Sequence, residues 1–198
     1  EDAGVVLADN VQSAILLAHR LLETGTASEG SVPALFDKIG PGVLVTHSHS
    51  GGLGWLAAIK NANIRAIVAY EPGTNVPFPE GQMPEEGKVL TLSKKTEGVE
   101  VPMEEFLQFT KIPIIIYYGD NLPETDERPE LYEWTRRLHL MRKWAALLNE
   151  HGGDVTVIHL PEIGLKGNTH FILVSFRFRF NHDLDNGFWE FDKIGRAS

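Results

Sequence analysis

Val43-Leu44-Val45-Thr46-His47-Ser48-His49-Ser50-Gly51-Gly52-Leu53-Gly54-Trp55-Leu56-Ala57-Ala58 decides how this chain is read. A short apolar, β-branched run breaks into small and polar residues around one serine and resumes with helix formers, the order of strand, abrupt turn and helix. A serine on such a turn brings the residues two positions before and after it into near contact, which excludes bulky side chains. Those positions are Thr46 and Ser50, followed by Gly51 and Gly52. The turn presents the Ser48 hydroxyl above the sheet at a helix N-terminus, where the backbone N–H of His49 can face a developing oxyanion. The pattern is T-x-S-x-S rather than G-x-S-x-G, so by itself it also fits an ordinary strand-to-helix connection.

The bulk properties bound the rest. A chain of 198 residues suits one domain with a sizeable core. The formal charge of −9 without a basic cluster argues against nucleic acid or an anionic membrane surface as the main partner. No cysteine is present, which excludes disulfides and thiolate metal sites and leaves the compartment open between cytoplasm, periplasm and secretion. No apolar run approaches the roughly 20 residues needed to span a bilayer. The first residues, Glu1-Asp2-Ala3-Gly4, do not resemble a signal peptide, although a processed chain would have lost one.

Upstream of the turn, the spacing predicts a helix from Asp9 or Asn10 to about Glu23, with His19 structural, and a short helix over Pro33 to Ile39 closed by Gly40-Pro41. Downstream, Ile64 to Tyr70 reads as a buried strand ending on Glu71-Pro72-Gly73. A carboxylate at the carboxyl end of a strand stands where catalytic groups collect in open α/β sheets. Residues 74–102, rich in Pro, Gly and Glu, read as an insertion that covers the site as a lid or binding loop, with Val89 to Leu92 as a short strand. Helical turns over Met103 to Phe109 follow. Lys111 to Tyr118 is the strongest strand signal, suited to a parallel strand covered on both faces. It stops at Gly119-Asp120-Asn121, which makes Asp120 a second candidate acid.

Pro129 opens a helix that runs to Glu150. In it Trp134, Met141 and Trp144 read as core, and Arg136, Arg137, Arg142 and Lys143 as a solvated basic face. Val155 to Leu160 is a fourth strand, with His159 structural. The Gly-rich loop Pro161 to Phe171 then carries His170, well placed to approach a serine projecting from an earlier strand. Phe176-Arg177-Phe178-Arg179-Phe180 alternates with period two, as an edge strand or tail without chemistry.

Serine, acid and histidine in this order, each at the end of a different strand, form the α/β-hydrolase arrangement. The stretches Thr46-His47-Ser48-His49-Ser50-Gly51, Ala66-Ile67-Val68-Ala69-Tyr70-Glu71-Pro72-Gly73 and Gly164-Leu165-Lys166-Gly167-Asn168-Thr169-His170 resemble those of a bacterial esterase group, the Alcaligenes type, over roughly Val32 to Phe171. The resemblance implies an α/β fold with a mostly parallel sheet flanked by helices. It implies Ser48 as nucleophile, His170 as general base and then acid, Glu71 as the residue that orients the imidazole, and no cofactor. The activity implied is cleavage of small or medium uncharged carboxylic esters through an acyl-enzyme, with a homodimer left open. The choice of Glu71 rests on the resemblance to this group; without it the alternative acid Asp120 is slightly favoured, because most α/β-hydrolases use the later strand. His47 and His49 have the H-x-H spacing of metal ligands, but they point different ways around a turn and have no third ligand nearby, so no metal is expected.

The expected organisation is a single α/β-hydrolase-like domain over residues 1–175, with 74–102 inserted and 176–198 an atypical tail. Only about 42 residues precede the turn's strand, so the domain is expected to be partial, lacking the first strands of such a sheet and the loop that supplies the second oxyanion N–H. Two other readings remain: the same triad in amidase, lactonase or acyltransferase chemistry, and a catalytically silent, truncated hydrolase-like binding or structural domain.

Overall fold

The computed structural model describes residues 31–91, 94 and 96–172. The expected helix at residues 9–23 with His19, and the tail at 176–198, lie outside the described residues.

Four β-branched and aromatic runs form one parallel sheet. These are β1 (Gly42–His47), β2 (Ile64–Tyr70), β5 (Pro113–Tyr118) and β6 (Asp154–His159), in the spatial order β1-β2-β5-β6. The register pairs His47 with Tyr70 and Tyr70 with Tyr117, so β1 and β2 end on one row and β5 runs one residue past it. Parallel strands need crossovers, and helices supply them. The helix α2 (Ser50–Lys60) joins β1 to β2, and the 22-residue α5 (Pro129–Glu150) joins β5 to β6. Ahead of β1 lies α1 (Ser31–Ile39), and Asn61 fastens it to the turn after α2 by donating to Pro33 O and to Asp37 Oδ1, both at 2.7 Å.

The core lies between the sheet and the helices α2 and α5. Trp55, Phe109 and Trp144 meet there, with ring centroids 5.0 Å apart for the two tryptophans and 5.2 Å for Phe109 and Trp144. The buried Trp144 Nε1–H donates to Pro77 O at 2.6 Å, which meets the need of a buried indole for an acceptor. Met141 and Trp144 are thus core residues, as their helical spacing predicts.

Residues 74–102 pack more deeply than a covering loop. They contribute a second, two-stranded parallel sheet of β3 (Val76–Pro79) and β4 (Gly98–Val101), with the short α3 (Glu85–Lys88) between them. Val76, Phe78 and Val101 join the main core. Of the strand expected at 89–92, the described residues show one antiparallel bridge, between Leu90 and Thr96, and residue 92 lies outside them. Pro77 and Pro79 hide the real strand from a propensity reading, because each removes a ladder donor. After β4, α4 (Met103–Phe106) and a 3-10 turn over Leu107–Lys111 lead into β5, and a second 3-10 turn, Leu160–Ile163, follows β6.

The basic face expected on α5 divides. Arg142 pairs with Glu162 and Lys143 with Glu86 at the surface. Arg137, however, is buried between Glu97 and Glu133. Its principal partner comes from just before β4, 40 positions away, where helix periodicity gives no warning.

Candidate active site

The turn between β1 and α2 holds Ser48 at φ 53°, a left-handed conformation that costs an L-residue strain and persists only where its surroundings enforce it. Three backbone bonds do so: Ser48 N–H donates to Tyr70 O at 3.0 Å, and Ser48 O accepts from Gly51 N–H at 3.0 Å and from Gly73 N–H at 2.8 Å. Ser50 closes the turn from the side. Its hydroxyl donates to His47 O at 2.8 Å and accepts from His47 N–H at 2.9 Å.

Small residues are needed after the serine, and the need comes from the turn that follows β2. A Cβ on Gly51 would lie 2.5 Å from Pro72 Cβ, and one on Gly52 would lie 2.5 Å from Thr74 O. The turn after β2 therefore presses directly on the start of α2. That turn begins at Glu71, itself at φ 41°.

His170 bridges the two turns. Its Nε2 lies 2.8 Å from Ser48 Oγ, and its Nδ1 makes a short contact with Glu71 Oε2. The carboxylate accepts at Nδ1, so the neutral ring carries its proton there and Nε2 accepts from the serine hydroxyl. Glu71 is 2 % exposed, and its other oxygen accepts from Gly119 N–H at 2.7 Å. The arrangement can pass the Ser48 proton to the imidazole while a buried carboxylate faces the cation that results.

Asp120 is engaged elsewhere. Its carboxylate accepts from Gly167 N–H at 2.8 Å and from Asn121 N–H at 2.7 Å, and its own N–H donates to Asn168 O. It ties down the loop that carries His170. The Gly167 and Asn121 N–H bonds hold its carboxyl below the ordinary aspartate value.

His47 is also committed: its Nε2–H donates to the backbone oxygen of His170 at 2.8 Å, with the two rings 4.8 Å apart. His49 is exposed, and among the described residues nothing accepts its backbone N–H. Among the described residues, no three His, Asp or Glu side chains gather as metal ligands.

The sequence reading missed two residues at the site. Trp134 of α5 is not simply core: its ring stands 4.2 Å from that of His170, and the Arg137 guanidinium lies 4.2 Å from the same indole. The i, i+3 spacing on a helix puts Trp134 and Arg137 side by side, a signal available in the sequence. Nothing in the sequence signals that His170 meets them. His47 as an anchor is likewise illegible, because its acceptor is a backbone carbonyl 123 positions away.

No family model matches the chain. It is 26% identical to a probable secreted lipase, phiG, of a fungal species, an alignment covering 72% of this chain and 44% of that protein. Among solved structures it superposes on a bacterial esterase with a TM-score of 0.52 and 26% identity, covering 72% of this chain and 35% of the esterase. The chain thus spans less than half the length of either relative. In sequence and in fold, an α/β layer structure on a mostly parallel sheet, it is similar to enzymes named for cleaving esters.

Proposed function

We propose that this chain carries the catalytic machinery of a serine hydrolase that cleaves small, uncharged carboxylic esters. The observation that carries the reading is the hydrogen-bonded line from Ser48 Oγ through the His170 ring to the buried Glu71 carboxylate. The lipase and esterase relatives support the same class of chemistry.

Ser48 Oγ attacks the ester carbonyl carbon as its proton moves to His170 Nε2, and Glu71 holds the ring in the tautomer that can receive it. The tetrahedral oxyanion forms beside the His49 N–H at the N-terminus of α2, where the helix dipole favours negative charge. His170 then returns the proton to the departing alcohol, leaving an ester on Ser48. A water deprotonated by His170 attacks that ester and releases the acid.

The test is turnover of p-nitrophenyl esters by purified protein and by Ser48→Ala. Loss of turnover in the variant, together with covalent labelling of wild-type Ser48 by a fluorophosphonate, is the expected result. Equal turnover by both proteins would overturn the assignment.

A further inference from the structure

The proposed reaction makes no direct use of a buried charge cluster on the far side of Trp134. Arg137 Nε–H donates to Glu97 Oε2 at 2.9 Å and its Nη2 meets Glu133 Oε1, with all three residues at most 7 % exposed. The second oxygen of Glu97 is buried without a hydrogen-bond partner, and burial pushes that carboxyl up despite the neighbouring guanidinium. Buried ion triads of this kind are seldom worth their desolvation, and apolar replacements are often as stable. Stability is therefore a weak account of this one. Its geometry offers another: Arg137 sits against the indole of Trp134, and that indole sits against the His170 ring, each at 4.2 Å.

We propose that Trp134, clamped by Arg137 between Glu97 and Glu133, is a positioning residue for His170, and that residues 74–102 act on the site through Glu97. The His170 ring has hydrogen bonds at its two nitrogens, but these lie along one axis and do not by themselves stop it rocking about the Ser48–Glu71 line; the His47 ring, 4.8 Å away, packs against it as well. A flat, immobilised indole limits that rocking and keeps Nε2 aligned with Ser48 Oγ. The guanidinium fixes the indole in turn, since a stacked, doubly ion-paired arginine has little rotamer freedom left. The segment 74–102 thus serves as a brace for the base. This inference rests on the acyl-transfer reading above, and its test has a readout that does not depend on turnover.

That readout is the downfield proton resonance of the His170 Nδ1–H bound to Glu71, assigned by its loss in Glu71→Gln. It is followed beside the rate of fluorophosphonate labelling in the full chain. In Trp134→Leu, which keeps an apolar side chain but not a flat face, the resonance broadens and labelling slows about tenfold. In Trp134→Phe most of both returns. Glu97→Gln slows labelling about threefold, and this effect vanishes when Trp134 is already Leu, because the two act in series. A sharp resonance and wild-type labelling rate in folded Trp134→Leu would overturn the proposal. So would additive effects of the two substitutions. Should Trp134→Leu fail to fold, Glu97→Gln decides alone: an unchanged resonance and rate refute the brace. If the wild type is never labelled at Ser48 yet the resonance responds as described, the acyl-transfer reading fails and the brace stands.

Discussion

His47 reaches across the site to hold the main chain of His170: its Nε2–H donates to the His170 carbonyl oxygen at 2.8 Å. The residue before Ser48 and the loop bearing His170 are thereby locked together at the end of β1. His47→Phe keeps a ring against His170 and Phe171 but removes the donor. It is expected to lower kcat about tenfold with little change in KM, because loosened alignment of catalytic groups costs rate more than binding. Steady-state kinetics on p-nitrophenyl acetate measure the split.

The proposed reaction gives the two strand-end carboxylates separable roles. Glu71→Gln leaves an amide facing His170 Nδ1 and reverses the favoured tautomer, so kcat should fall by about 10⁴. Asp120→Asn replaces one acceptor of the Gly167 N–H with a donor and loosens only the loop, so the loss should stay within about 10². Comparable losses from both substitutions, measured at one pH, would contradict the division.

Acid should release the same loop. Hydrogen bonds from Gly167 and Asn121 hold the Asp120 carboxyl below its ordinary value. Its stabilising contribution is therefore present above the ordinary aspartate value of about 3.9 and disappears as pH falls through the lowered one. Amide exchange at Gly167 and Asn121 should accelerate over that acid range in the wild type. In Asp120→Asn, where no carboxylate is left to protonate, the acceleration should be absent.

Crowding at the start of α2 gives a stability test. In Gly51→Ala the new methyl meets Pro72 Cβ at 2.5 Å and Pro72 Cα at 2.7 Å, neither of which belongs to a flexible side chain. Overpacking of this kind costs about 1–3 kcal/mol, or roughly 2–12 °C of melting temperature for a domain of this size. Calorimetry of the folded variant reads the shift. A separate loss of labelling at Ser48 would report displacement of the turn.

Much of this architecture is written locally. The strand at Ile64 to Tyr70, the continuous run before Gly119 and the Pro129-led helix emerge as the periodicities predict, because each is settled by neighbours in sequence. The strand, turn and helix around Ser48 are legible in the same way, although what holds that turn comes from Tyr70, Pro72 and Gly73. What escapes is long-range: the burial of Arg137 depends on Glu97, the acceptor of His47 on a loop far along the chain, and the strand at Val76 on pairing with Gly98 strong enough to carry two prolines. Those outcomes are set by partners, and a residue's own type does not name its partner.

The end row shared by β1 and β2 has a consequence for how this chain tolerates change. Ser48 and Glu71 each stand one residue beyond the paired row of His47 and Tyr70, and both leave it through a positive φ. The sheet thus acts as a starting line from which the two groups are counted. Substitutions within the strands leave that count intact, whereas deleting a single residue from β2 would shift the frame of Glu71 against Ser48 and turn its side chain to the opposite face. Length, more than composition, is what these two strands must preserve.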